Sequence, residues 1–258
     1  MALYDQIGRG YDTTRQADPG IVACLLRLLA VPAGSFCLDV ACGTGNYTTA
    51  LAQAGLSMVG TDVSRQMLTT ARAKTDHLRW VQADAVNLPA ADRAFHAAVC
   101  TMALHHFRAP AHVFREVRRV LDGGRLVLFT ADPGQMQRYW LHVYFPDALA
   151  RATRQMPPLD QTLAHLADAG FGRVTCEPWS VPPDLRDLFL YAGKYRPALY
   201  LDPRVRAGIS TFANLAQPAE IEQGCARLAA DIASGQFTEV LAASEHDAGD
   251  YLFIVAEA

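Results

Sequence analysis

Paired cysteines, an excess of charge of one sign and a long apolar run are all missing from this 258-residue chain, and each absence excludes a class of protein. The six cysteines (24, 37, 42, 100, 176 and 225) stand singly with no C-x-x-C pair, so no disulfide framework or zinc ribbon is encoded. That spacing reads as a reduced, cytoplasmic interior, and it gathers no thiolates for a metal or metalloid. With 23 Lys and Arg against 26 Asp and Glu, a net charge of −3 and a pI of about 6.2, there is no basic field to concentrate nucleic acid. The longest apolar stretch, residues 21–31, is interrupted by Arg27 and is about half the length that spans a bilayer. Residues 1–9 lack the apolar core and small-residue cleavage site of a secretory signal, so neither secretion nor a membrane anchor is expected. Internal repeats and low-complexity tracts are absent as well.

What the chain does have is 51% hydrophobic residues, enough for one large α/β domain or a domain carrying an inserted lobe. Between residues 34 and 131, short apolar runs alternate with helix-period segments, the pattern of parallel strands joined by crossover helices. Strands are predicted at 36–41, 57–61, 78–83, 97–102 and 125–130, each short, rich in Val, Leu or Phe and bounded by Gly, Asp or Pro. Helices are predicted at 46–54, at 65–74 after a Ser64 cap, and at 111–121 between Pro110 and the pair Gly123 and Gly124. After Asp132 the alternation becomes irregular. An aromatic cluster over 139–145 precedes a helix at 159–169 and a strand at 172–179. About 65 residues opened by Pro182 and Pro183 then come before a last apolar run at 251–255. The expected organisation is a helical cover over 1–33, a core over 34–181 and 249–258, and an inserted, mainly helical lobe over 182–248.

Three strand ends carry an acid. Asp39 opens D-V-A-C-G-T-G (39–45), whose Gly43 and Gly45 let a ligand approach the backbone N–H groups at a helix start. Thr48 stands where the dinucleotide fingerprint needs its third glycine, and Asp39 would repel a pyrophosphate, which argues against a nicotinamide dehydrogenase. An ammonium group suits Asp39 better. Asp62, 23 residues on in G-T-D-V-S-R-Q-M-L (60–68), can accept both hydroxyls of a ribose. Asp84, in Q-A-D-A-V-N-L-P (82–89), can accept from an exocyclic amine such as that of adenine. An amino acid site, a ribose site and an adenine site together describe S-adenosylmethionine.

With A-L-H-H-F (103–107) and R-V-L-D-G-G-R-L (119–126), these motifs resemble, in order and spacing, the class I S-adenosylmethionine-dependent methyltransferases, particularly the small-molecule branch around the ubiquinone/menaquinone-type enzymes. The resemblance implies a Rossmann-like, doubly wound sheet of seven strands, the last antiparallel, with the cofactor across the carboxyl ends of the first four. It implies that Asp39 and Ala41 border the amino acid end, Gly43 and Gly45 form the turn, Asp62 meets the ribose and Asp84 with Ala85 the adenine edge. Val63 and Met67 would pack on the ring, Thr101 in the fourth strand would border the cofactor, and no metal is implied. Ala41 departs from the glycine that many members carry there. The segment 4–15 resembles the cover of small-molecule members, in which Tyr11 and Arg15 close over the cofactor and Arg15 clamps the methionyl carboxylate; a solvated helix is the plain alternative.

Methyl transfer is an in-line displacement that asks mainly for alignment and exclusion of water. His105 and His106 are placed at the end of the fourth strand, on opposite sides by strand alternation, with His105 facing the pocket as a candidate base. Tyr139, Trp140, His142 and Tyr144 can hold a flat ring by stacking or can pack as core. Tyr191, Lys194, Tyr195, Arg196, Tyr200, Arg204 and Arg206 can receive an anionic or phenolic substrate or can form a solvated face. The expected activity is methyl transfer to oxygen or nitrogen of a small aromatic or heterocyclic metabolite, by a monomer or homodimer with no nucleic acid or membrane partner. The alternative is a protein of the same fold that binds the cofactor for a non-methylating rearrangement or for sensing. A base methylase of nucleic acids lacks its usual Asn/Asp-Pro-Pro-Tyr/Phe signature here, where residues 101–104 read T-M-A-L.

Overall fold

The computed structural model describes residues 11–258, without the side chain of Tyr11. Residues 1–10 of the expected cover lie outside the described residues, and so does the Tyr11 side chain.

Seven strands form one sheet in the order β3-β2-β1-β4-β5-β7-β6. β1 (Phe36–Val40), β2 (Ser57–Asp62), β3 (Arg79–Gln82), β4 (Phe95–Thr101) and β5 (Leu121–Thr130) pair in parallel, and β7 (Tyr251–Glu257) runs antiparallel between β5 and β6 (Arg173–Trp179). The chain starts at the centre with β1, steps outward to β3, then crosses back to β4, so the carboxyl ends of β1 and β4 flank the point where strand order reverses. Ligands of open α/β sheets bind at such a point.

Alternation along each strand builds two cores. Cys37, Ala97, Val99, Val127 and Phe129 face one side, where α1 (Pro19–Leu29) and α2 (Asn46–Gln53) pack. Leu38, Val40, Ala98, Cys100, Leu126 and Leu128 face the other, covered by α4 (Pro110–Val120). α3 (Arg65–Lys74) covers the β2–β3 edge with Leu68 and Ala71 against Trp80. Asp18 caps α1 by accepting from the N–H groups of Gly20 and Ile21, and Ser64 caps α3 through Met67 N–H.

β5 begins four residues before the sequence reading places it. Gly123, at φ +69°, and Gly124 lie inside the strand rather than in a preceding turn. A Cβ on Gly124 would stand 1.6 Å from the His96 carbonyl oxygen, so only glycine lets β5 pass this close to β4.

Beyond β5 come α5 (Pro133–Met136), α6 (Leu141–Tyr144), α7 (Pro146–Gln155) and α8 (Leu159–Asp168), then β6. Residues 182–248 follow as turns and helices that include α9 (Pro203–Ala207), α10 (Pro218–Ser234) and α11 (Phe237–Ala243). This lobe shares one core with α1, α2 and the sheet face they cover. Among the described residues, no helix is long and apolar enough to cross a membrane.

Candidate active site

A cleft of about 1170 Å³ runs across the carboxyl ends of β1, β2, β3 and β4. Ala41, Gly43, Asp62, Val63, Met67, Asp84, Ala85 and Thr101 line it, together with Arg15 and both histidines. Gly43, at φ +56°, has nothing within 4 Å of where a Cβ would sit, so its backbone is open on that side. The Asp62 carboxylate holds the loop: Oδ2 accepts from Gly43 N–H at 2.9 Å and Oδ1 from Ser64 N–H at 2.8 Å. Asp84 accepts from Val86 N–H at 3.2 Å, which fixes the turn after β3. Val63 is 55% exposed, an uncommon position for an aliphatic side chain unless something flat covers it.

Two residues expected at the cofactor lie off the cleft wall. Asp39 falls on the sheet face that α2 covers, so it is 1% exposed and accepts from Thr48 Oγ1 at 2.6 Å, while its Oδ1 has no partner among the described residues. Burial pushes its carboxyl up to about 7; the Thr48 hydrogen bond opposes the shift and the nearby Asp62 charge adds to it. Gly45, at φ +74°, serves packing: a Cβ there would stand 2.2 Å from the Trp80 ring. Trp80, which the sequence reading passed over, lies beneath the loop with its Nε1 donating to Thr75 O at 2.9 Å. Its contact with Gly45 joins segments distant in sequence, which no local pattern marks.

The two histidines depart from strand alternation. β4 ends at Thr101, Met102 takes φ +54°, and Leu104–His106 form a 3-10 turn, which brings both rings to the same side with centroids 3.8 Å apart. Both line the cleft. Burial, then His106 and Arg15, push His105 down to about 3, and burial pushes His106 down to about 4. Each is therefore a neutral imidazole at physiological pH, able to give and accept hydrogen bonds but a weak proton acceptor.

Behind the cleft lies a chamber of about 70 Å³, lined by Thr130, Met136, Tyr139, Phe189, Ser210, Thr211 and Tyr251 among others. Arg15, Met102, His105 and Gln155 border both spaces and form the neck between them. Gln155, the last residue of α7, carried no signal in the sequence because a lone Gln at a helix end has no distinguishing pattern.

The remaining aromatic and lobe candidates occupy neither space. Tyr139 stacks on Tyr191 at 3.9 Å and 6°, and Trp140 makes edge contacts with Tyr144, Tyr200 and Phe237. Trp140, Tyr144 and Tyr191 are at most 2% exposed, pack in the core that the lobe shares with the sheet and line neither space. Trp140 Nε1 donates to Lys194 O and Tyr144 OH to Asp231 Oδ2. His142 is half-buried on α6, outside both spaces. Arg196 donates to the carbonyls of Leu185 and Ala192, which fastens a loop. Lys194 is buried against Asp250 at 3.0 Å, and Arg204 pairs with Asp202. The cations and phenols of this span thus bond mainly to the lobe itself.

Residues 38–129 match the family model described as a methyltransferase domain. A demethylmenaquinone methyltransferase of Clavibacter sepedonicus is 33% identical over 154 residues, 55% of this chain and 63% of that protein, so the chain spans less than two thirds of that relative's length. One of Roseiflexus castenholzii is 31% identical over 203 residues, covering 67% of this chain and 85% of the relative. A crystal structure described as a putative methyltransferase from an antibiotic biosynthesis pathway of Anabaena variabilis superposes with a TM-score of 0.86 at 36% identity, covering 95% of this chain and 99% of that one. Strand order, cleft position and these similarities agree, and the chain belongs to the class I S-adenosylmethionine-dependent methyltransferases.

Proposed function

We propose that the protein methylates oxygen or nitrogen of a small, ring-containing metabolite, with S-adenosylmethionine in the cleft and the acceptor in the inner chamber. The observation that carries this reading is the neck: Arg15, Met102, His105 and Gln155 border both the cleft, with room for the whole cofactor, and a smaller chamber of about 70 Å³. In-line transfer needs donor and acceptor to meet at such a boundary with water excluded.

The cleft residues suit the cofactor by their donor chemistry. Asp62 would accept the ribose hydroxyls, Asp84 and Ala85 would border the adenine edge, and Val63 with Met67 would cover its faces. Gly43 and Ala41 would present backbone to the amino acid end, with Thr101 beside them, and Arg15 would hold the carboxylate. Bound there, S-adenosylmethionine supplies an electrophilic methyl on its sulfonium. The chamber offers aromatic and thioether surface from Tyr139, Phe189, Tyr251 and Met136, with Ser210 and Thr211 as hydroxyl partners; this lining suits one edge of a ring carrying a polar group, with the rest of the ring at the neck. His105, neutral at the neck, would orient the acceptor by hydrogen bonding; its depressed proton affinity suits positioning better than proton removal.

The test is calorimetric titration with S-adenosylmethionine and S-adenosylhomocysteine, followed by methyl-label transfer into a pool of phenolic and heteroaromatic metabolites. Binding with label in a small molecule is the expected result. Binding of both ligands with no label leaving the cofactor across the pool would favour the non-methylating alternative, and absence of binding would overturn the reading.

A further inference from the structure

Residues 14–18 run beside the lobe as a seam. Leu188 N–H donates to Thr14 O at 3.0 Å, Gln16 Nε2 to Arg186 O at 3.2 Å and Arg186 N–H to Asp18 Oδ2 at 3.0 Å. Gly208 makes the approach possible, since a Cβ there would stand 2.0 Å from Thr14 Oγ1. At the middle of the seam is Asp187, a carboxylate only 1% exposed, on the wall of the cofactor cleft.

Asp187 receives donors from two segments distant in sequence. Its Oδ1 accepts from Arg15 Nε at 2.5 Å and from Gln16 N–H at 3.4 Å. Its Oδ2 accepts from Arg15 Nη2 at 3.3 Å and from Tyr47 OH, on the helix that follows the glycine loop, at 3.0 Å. Four donors match the roughly four lone-pair sites of a carboxylate, so this acid is directed at protein groups and not at a cofactor ammonium. Two of the four bonds grip the Nε–Nη2 edge of one guanidinium, a geometry that fixes its plane as well as its position.

We propose that Asp187 is a positioning residue for the cofactor's amino acid end: it holds the Arg15 guanidinium at the neck in the orientation that receives a carboxylate. This rests on the S-adenosylmethionine reading above. A long, rotamer-rich arginine otherwise loses its freedom only when ligand arrives; anchored beforehand by a buried carboxylate, it meets the ligand already ordered. Tyr47 OH holds the anchor itself, so the loop helix, the lobe and residues 14–18 are set relative to one another by one acid. A residue of the lobe thereby controls affinity for a ligand that the sheet binds.

The experiment compares two ligands that differ in the proposed contact. S-adenosylhomocysteine carries the amino acid carboxylate; 5′-methylthioadenosine keeps the adenosine and the thioether but lacks it. Full-length protein and its Asp187→Asn, Tyr47→Phe and Arg15→Met variants are titrated with both, after a melting scan shows each folded. Asp187→Asn is expected to weaken S-adenosylhomocysteine about tenfold or more and methylthioadenosine less than about twofold. Tyr47→Phe moves the same way by a smaller factor and carries the test if Asp187→Asn does not fold. On the Arg15→Met background, Asp187→Asn adds no further selective loss, as expected for a residue acting through Arg15. Equal weakening of both ligands, or none, in a folded variant overturns the role of Asp187 alone. Wild-type protein that binds neither ligand overturns the cofactor reading beneath it.

Discussion

The strand ends of β1 to β4 and the lobe over 182–248 use the same kinds of side chain for opposite purposes. At the strand ends, Asp62 and Asp84 lie along an open cleft, and the hydrogen bonds that hold them come from backbone N–H groups of the turns after β1, β2 and β3. In the lobe, Lys194 is closed off against Asp250, Arg196 against two carbonyls, and Tyr191 and Tyr200 are buried at 1% exposure. Parallel-sheet topology delivers strand ends to one edge whatever the rest of the chain does, so their polar groups are available to a ligand. An insertion without a sheet of its own must use its polar groups to satisfy and orient its own backbone.

That contrast can be broken by moving charges on each side of it. Lys194→Met leaves Asp250 buried with its remaining partner, Val181 N–H at 2.8 Å, and is expected to cost about 3–5 kcal/mol, read by denaturant unfolding. S-adenosylhomocysteine affinity of the fraction that stays folded should change little. Asp62→Ala should do the reverse, losing about a hundredfold in affinity while unfolding shifts by about 1–2 kcal/mol for the two lost backbone bonds. If the lysine variant loses affinity and keeps its stability, the lobe cations serve ligand and not fold.

The same contrast explains what was legible in sequence. Residues 39–45, 60–68 and 82–89 were readable because an acid stands at each strand end, with glycine beside it in the first two, at a spacing that the βαβ unit imposes. A doubly wound sheet of seven strands with the last antiparallel followed from the family resemblance of those motifs, and the strand order comes from the structure. Asp187 was not readable: its partners Arg15 and Tyr47 are 172 and 140 residues away, and no local period links them. The aromatic cluster divides for a related reason. Tyr139, on the chamber wall, and Trp140, in the core, are adjacent in sequence, and only the turn of the short α5–α6 segment separates their environments. The histidine pair was misplaced by carrying strand alternation past Thr101, where the positive φ of Met102 ends the strand.

Asp39 tests whether the strand-end half also contains a carboxylate that serves no ligand. Its folded pKa, raised by burial to about 7, lies above the ordinary carboxylate range, so the protonated form is favoured in the native state. The stability it contributes is fully present below about pH 4, falls as pH rises through the native value and is gone above it. Asp39→Asn removes that titration and keeps an acceptor for Thr48 Oγ1. The variant should therefore gain on wild type by about 4 kcal/mol between pH 4 and pH 8, measured by unfolding at fixed ionic strength. A constant difference across that range would mean that Asp39 stays ionised when folded, paired with a group on the cleft side.

The smallest effect concerns where backbone strain is held. Ala41 takes φ +57° and Met102 φ +54°, one after β1 and one after β4, and both line the cleft; among the described residues, no non-glycine residue of the lobe has a positive φ. For an L-residue with a Cβ, that conformation costs on the order of 1 kcal/mol, and strain of this kind persists where the surroundings enforce it. At Ala41 the enforcing structure is the ladder itself, since Cys42 N–H, two residues past the end of β1, donates to Thr61 O of β2 at 2.9 Å. Ala41→Gly removes the clash but adds freedom to the unfolded chain, and the two terms oppose each other. The net expectation is a gain of about 0.5–1 kcal/mol with unchanged affinity for S-adenosylhomocysteine, because the ladder and not the methyl group sets the loop. A stabilised variant with weakened binding would instead show that the Ala41 methyl packs on the ligand, and would move this position from the scaffold into the site.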